Sequence, residues 1–260
     1  MTLVRIPLVE KASGMTIADV LRRKPQVQTL SGDGVLMLCT HYRRVALCQW
    51  LNRLAVADMF VGLANSAWLY AHWLAGNDDA AKRTSRADPF FDAVAAVADA
   101  AATAIIAGSR TSWHQGREYE DDFCYARILQ LLYVGKDADA RVLLERWHIV
   151  SGGGESRFAV CEALLSGVPD DLQRPIDDLL EEIHAGVRER QAAESGDPDA
   201  AVTTERLSLE GIALIRISHR RKMAITVRHV LVPDLVVTSP AAPLPGPEAW
   251  KQVSDPRSLG

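Results

Sequence analysis

Two copies of the pattern Glu-x-x-His carry the clearest chemical signal in this sequence: Glu145 with His148, and Glu181 with His184. In di-iron helical bundles, two such pairs and two further glutamates point into the core and hold the metal ions. Metal-dependent chemistry is therefore the first hypothesis to weigh against the helices that would carry these side chains.

The periodicity of the surrounding residues argues against a metal site. The segment around Glu145 has an apolar face made of Ala140, Leu143, Leu144 and Trp147. At ~100° per residue, Glu145 lies about 150° from the centre of that face. Glu181 likewise falls on the far side of its own segment, whose apolar face comprises Ile176, Leu179, Leu180, Ile183 and Val187. We therefore predict that both glutamates point to solvent and both histidines lie at the face edges, and we expect neither a metal nor another cofactor.

Other patterns typical of catalysis are weak or missing in the sequence. The loop SGGGES at residues 151–156 offers backbone N–H groups to an anion, but it matches neither a P-loop nor G-x-G-x-x-G, so a flexible linker is the simpler interpretation. The sequence has no G-x-S-x-G pattern. The cysteines, Cys39, Cys48, Cys124 and Cys161, form no C-x-x-C pair and lie in apolar runs, which favours a structural role. We predict that the protein is not an enzyme.

Composition limits the partners of the protein. The 260 residues are 48% hydrophobic and 24% charged, with a formal net charge of -4. This charge is not basic enough to indicate nucleic acid as the main partner, and it favours encounter with a basic protein. The sequence shows neither a signal peptide nor the ~20 apolar residues of a membrane span, so we expect a cytoplasmic protein without a membrane partner.

The segment WHQGREYEDDF at residues 113–123 places aromatic side chains beside carboxylates. Its candidate partner-binding residues are Trp113, His114, Tyr119, Glu120, Asp121 and Asp122. Acidic residues in the first turn of a helix are stabilised by the helix dipole, so simple capping is one interpretation. A protein-binding spot, where aromatic groups anchor and acids steer a basic partner, is the other. Both remain open at the level of sequence.

Hydrophobic spacing of three and four residues predicts an all-α fold, a multi-helix bundle of antiparallel helical hairpins spanning residues 35–237. Residues 1–34 are predicted to form an extended start, a short helix at 16–23 and a turn at SGDG, 31–34. Residues 238–260 are predicted to form a proline-rich tail, extended or disordered and anchored by Trp250.

Within the bundle, the stretch 41–75 is too long for one ordinary helix and is predicted to hold two. An alanine-rich helix is predicted from Asp88 to Gly108, and residues 118–134 and 137–149 are predicted to pair as a hairpin. Pro175 is predicted to open a helix, and the last helix is predicted to start near Thr203 or Thr204.

Glu210 lies in the middle of an otherwise apolar helical stretch, RLSLEGIALIRISHRR at residues 206–221. A buried carboxylate without a partner is costly, so we expect it to be paired. Arg206 at position i−4 is the predicted partner, with Arg127 or another arginine packed opposite as alternatives. The pair would fix helix register, and the other possibility is a functional role in a pocket.

The same stretch, followed by VLVPDLV, resembles the C-terminal signature of the bacterial immunity protein 49 family. The residues that carry the resemblance are Leu209, Glu210, Gly211, Ala213, Leu214, Arg216, Pro233 and Leu235. The segment YEDDFCYARILQLLYVGKDADARVLLERW is similar in style, and the resemblance extends over about residues 46–235, loosely in the N-terminal half.

This resemblance implies an all-α immunity protein that binds and neutralises a cognate antibacterial toxin in the cytosol. Such toxins are polymorphic toxins or effectors of secretion systems such as type VI, used in competition between bacteria. A mildly acidic chain would suit a basic toxin, for instance a nuclease. A general helical interaction scaffold or adaptor is the alternative function, and a metal-binding or enzymatic bundle is a more distant one.

Overall fold

A computed structural model describes residues 2–240 and 243–252, and over these residues the protein is a bundle of α-helices without β-strands. The helices are α1 Thr2–Arg23, α2 Gly32–Arg53, α3 Val56–Ala75, α4 Asp88–Ala95, α5 Asp99–Gly108, α6 Glu120–Tyr133, α7 Asp137–Ser151, α8 Ser156–Ser166, α9 Pro169–Ala192, α10 Pro198–Val202, α11 Leu209–Arg220 and α12 Asp234–Thr238. Short 3-10 helices lie at Val27–Thr29, Asp79–Ala81 and Ala249–Lys251. The predicted fold class is confirmed. None of the helices in the described part is both long and apolar enough to cross a lipid bilayer.

Consecutive helices joined by short connections pack side by side along the chain. The most extensive pairings are α2 with α3, α1 with α2, α6 with α7 and α8 with α9. Helix α11 packs on α4, which also contacts α3 and α5. Apart from the packing of α11 on α4, the main contacts join helices that are close in sequence, as expected when helices are linked by a few residues.

The two helices predicted in 41–75 are present, although the first starts earlier. The chain turns between α2 and α3 at Leu54, which has a left-handed φ of 53°. The predicted turn at 31–34 is wrong, because these residues open α2. Ser31 caps the helix, and its Oγ accepts a hydrogen bond from the N–H of Gly34 at 3.1 Å.

The predicted extended start of the chain is also wrong, because α1 runs continuously over Thr2–Arg23. Ile6, Val9 and Ile17 are buried, and this helical face packs against α2. The alternation in TLVRIPLV resembles a strand only locally. Burial of one face against α2 stabilises the helical conformation of this segment, although Pro7 lies inside the helix.

Three further boundaries differ from the prediction. The alanine-rich run is divided into α4 and α5 around Val97, whose φ of 59° is left-handed. Helix α9 starts at Pro169, and Pro175 lies inside it, because the apolar face of the helix continues through that position. Helix α11 starts at Leu209 instead of near Thr203, and its cap is Ser208, whose Oγ accepts from the N–H of Gly211 at 3.0 Å.

One main hydrophobic core contains residues from all three of the predicted segments, 1–34, 35–237 and 238–260. It includes Ile17 and Val27 from the first segment and Trp250 from the last. Trp250 is fully buried, and its carbonyl accepts a hydrogen bond from the hydroxyl of Tyr42, which confirms its predicted anchoring role. Of the predicted tail, residues 241–242 and 253–260 lie outside the described residues.

Candidate functional site

A groove of about 750 Å³ lies between the segment that precedes α4 and the loop that leads into α6. Four of the predicted partner-binding residues line it, namely Trp113, Tyr119, Glu120 and Asp122. His114 and Asp121 lie in the same segment without lining the groove. The remaining lining residues are Arg83, Ser85, Arg86, Asp88, Gln115, Gly116, Arg117 and Glu118.

Two hydrogen bonds hold the loop of this groove in place. The indole N–H of Trp113 donates to the carbonyl of Glu118 at 3.0 Å, and Trp113 packs against the core. The Oε2 of Glu118 accepts from the backbone N–H of Ser85 at 2.9 Å, which ties the loop to the opposite wall. Trp113 therefore anchors the loop while one part of its ring lines the groove.

Tyr119 has the opposite character. It is 79% exposed, and among the described residues it is the only exposed aromatic side chain. It directly precedes α6, with its backbone at the N-cap of that helix and without a capping side-chain hydrogen bond. A tyrosine in this position presents a rigid, amphipathic ring to whatever approaches the groove.

The three carboxylates after Tyr119 are used differently. Glu120 is paired with Arg146 of α7, with Nε–Oε1 and Nη2–Oε2 distances of 2.7 and 3.2 Å. Asp121 accepts the backbone N–H of Asp122 at 2.9 Å. Burial and the neighbouring Asp121 raise the pKa of Asp122. All three lie in the first turn of α6, where the dipole stabilises them, so capping and partner contact are compatible here.

The opposite wall was missed by the sequence analysis. Arg83 and Arg86 come from the connection before α4, and Arg117 comes from the loop before α6, so the groove has mixed charge. Asp88 lines this groove and two adjoining ones of about 280 and 210 Å³. Arg83, Arg86 and Asp88 carry no local pattern, and only folding brings them opposite Tyr119.

Glu210 lines the adjoining groove of about 280 Å³ and is paired, but not with Arg206. Arg157 of α8 donates from Nε to Oε1 at 2.8 Å and from Nη2 to Oε2 at 3.0 Å, and the hydroxyl of Tyr125 donates to Oε1 at 2.6 Å. Burial lowers the pKa of Arg157, but Glu210 outweighs this and raises it overall.

The predicted pair of Arg206 with Glu210 is therefore wrong. Arg206 donates from Nε to the carbonyl of Ala201 at 2.9 Å. It precedes the start of α11 at Leu209, so the i−4 geometry of a continuous helix does not apply. The alternative of an arginine packed opposite is the correct one, with Arg157 in that role, while Arg127 donates to Gln130.

The Glu-x-x-His pairs lie where the periodicity placed them. Glu145 and Glu181 are exposed, as predicted. His148 is exposed on α7, and His184 is half-buried on α9. In a di-iron site the side chains of both Glu-x-x-His pairs would have to point into the bundle, and the side chains of Glu145 and Glu181 do not.

The cysteines are buried free thiols. Burial raises the pKa of Cys39 to about 12 and of Cys48 to about 12. Thiols held in the protonated form are poor nucleophiles, which supports the structural role predicted for them.

No model of a protein family matches the chain, and neither the curated proteins nor the solved structures contain a match to it.

Proposed function

We propose that the protein is an immunity protein that binds and neutralises a cognate antibacterial toxin in the cytosol, using the groove beside Tyr119 as the contact surface. The observation that carries the proposal is Tyr119 itself, 79% exposed at the lip of a groove with charged walls. Tyrosine is among the residues most enriched in the small set that dominates binding energy at protein interfaces.

The charges around Tyr119 describe the partner that fits. Asp88 and Asp122 favour a basic group, in keeping with the net charge of -4 and with a basic toxin. Arg86 and Arg117, one from each wall, favour an acidic group. The proposed toxin surface is therefore basic, with at least one carboxylate that meets these arginines.

The resemblance to the immunity protein 49 family supports the assignment of the scaffold. Leu209, Gly211, Ala213 and Leu214, which carry much of that resemblance, are buried in α11. These residues build the fold, so the surface that selects a particular toxin lies elsewhere. A groove between loops and helix ends is free to vary while the buried helix stays the same.

The experiment is co-expression with the product of the neighbouring open reading frame, where the proposal expects a toxin domain. The expected result is rescue of growth and a stable complex of the two chains. Failure to rescue, together with failure to bind that domain, would exclude the immunity function. Capture of a non-toxic partner through the same groove would instead support the adaptor alternative.

A further inference from the structure

Three side chains from two distant parts of the sequence converge at the surface of α9. Glu181 and His184 are three positions apart in that helix, and His229 comes from the connection between α11 and α12. One possible ligand atom from each residue lies within 4.8 Å of the other two. Carboxylate and imidazole groups at such separations are the ligand types of divalent transition metals.

His229 is the member of the group that points to a ligand. Its side chain is only 9% exposed, and it lies 3.4 Å from a carboxylate oxygen of Glu181, measured from Nε2 to Oε1. That Nε2 atom is buried and has no hydrogen-bond partner among the described residues. A buried polar atom without a partner is costly, and coordination of an ion would satisfy it.

The distances can be compared with those of a tetrahedral zinc site. With metal–ligand bonds of about 2.0–2.1 Å, two ligand atoms lie roughly 3.3 Å apart. The distance of 3.4 Å from Nε2 of His229 to Oε1 of Glu181 already matches one edge of this tetrahedron. The ring of His184 already lies edge-on to that of His229, with centroids 5.5 Å apart, and a rotation of the His184 side chain would close the remaining edges.

One local adjustment accompanies binding. The backbone N–H of Leu231 donates to Nδ1 of His229 at 3.2 Å, which places the proton of the neutral ring on Nε2. A metal takes the place of that proton, the ring then carries its proton on Nδ1, and the hydrogen bond from the Leu231 amide is given up. One neutral hydrogen bond is a small loss against metal coordination.

We infer that Glu181, His184 and His229 form a binding site for a divalent transition-metal ion, for which Zn²⁺ is the best fit. Two imidazoles and one carboxylate supply three ligands, and water supplies the fourth because Glu181 is exposed. The ion joins α9 to the segment between α11 and α12, and thereby stabilises the position of that segment on α9.

The test is titration of the full chain with ZnCl₂ by calorimetry, and with CoCl₂ by visible absorption. We expect one ion per chain, ligand-field bands of tetrahedral Co²⁺, and a higher melting temperature with Zn²⁺. His184→Ala and Glu181→Gln change surface side chains, so both variants should fold. Each should weaken Zn²⁺ binding at least about tenfold, the loss expected even for a partner outside the ligand set.

The sequence contains a matched control in its other Glu-x-x-His pair. His148→Ala removes an exposed histidine from α7 with the same spacing to a glutamate. This variant should bind Zn²⁺ like the parent. The inference is overturned if the parent shows no saturable binding, or if His184→Ala binds as tightly as His148→Ala.

Discussion

Glu210 of α11 and Arg157 of α8 form a two-pronged ion pair, with Nε–Oε1 and Nη2–Oε2 distances of 2.8 and 3.0 Å. Tyr125 of α6 adds a third hydrogen bond to the same carboxylate. Three helices that are far apart in sequence therefore meet at one side chain. This arrangement explains why a carboxylate is tolerated in an otherwise apolar stretch, since each of its oxygens is satisfied.

Removal of this carboxylate should destabilise the fold. We expect Glu210→Ala to lower the free energy of unfolding by about 2 kcal/mol, because charged hydrogen bonds are lost while Arg157 regains some water. The side chain of Arg157 is 41% exposed, which keeps the loss below that of a fully buried pair. Urea denaturation measures the difference. Arg206→Ala, at the partner that the sequence suggested, should change stability by less than about 0.5 kcal/mol, and equal losses in both variants would contradict the structure.

Gly62 of α3 lies directly against Ala46 of α2. A Cβ atom at this position would lie 2.7 Å from the Cβ of Ala46. Gly62→Ala should therefore lower the free energy of unfolding by about 1–3 kcal/mol, because the helices must move apart. In α9, Gly186 has only the end of Arg190 nearby, at 3.5 Å. Gly186→Ala should raise the free energy of unfolding by up to about 1 kcal/mol, because alanine has the higher helix propensity. Thermal melts should therefore show a lower melting temperature for Gly62→Ala and a higher one for Gly186→Ala.

Asp137 and Arg221 predict a pH-dependent contribution to stability. Two hydrogen bonds of 2.8 Å from Arg221 hold the pKa of Asp137 below its usual value. A carboxyl group whose pKa is lower in the folded state stabilises the fold at any pH above its pKa in the unfolded state. This stabilisation is lost as the pH falls through its pKa in the folded state. Asp137→Asn should thus cost about 1 kcal/mol or less at neutral pH, because Asp137 is partly exposed.

The difference between Asp137→Asn and the parent should shrink as the pH falls below about 4. Urea denaturation at neutral and at acidic pH measures it. Asp139→Asn is the matched control, in the same first turn of α7 and without an ion pair to any described residue. A difference for Asp137→Asn that stays constant down to acidic pH would mean that its ion pair does not form in solution.

Tyr119 predicts where the partner binds. Tyr119→Ala should weaken the complex with the toxin domain by about 2 kcal/mol or more, the range of interface residues that dominate affinity. The free protein should keep its melting temperature, because the ring is exposed. Leu8→Ala removes a side chain that is 63% exposed on α1, which does not line the groove. Calorimetric affinities that fall equally in both variants would remove the groove from the interface.

The all-α class and several helix boundaries followed from local patterns. The steps of three and four between apolar residues in 41–75 and in 118–149 predicted α2 with α3 and α6 with α7. The pattern failed where a local signal competed with packing. An alternating run became part of α1, and Pro175 did not start α9, since in both cases the buried face of a longer helix outweighs the local preference.

The sequence by itself determined what each segment prefers, because helical periodicity and capping depend on residues only a few positions apart. It therefore predicted the helices, the outward direction of Glu145 and Glu181, and the need of Glu210 for a partner. Only the tertiary structure decided which groups meet: Arg157 with Glu210, the arginines opposite Tyr119, and His229 with His184. Such contacts join residues that are far apart in the chain, and their positions depend on how the hydrophobic faces of the helices pack together.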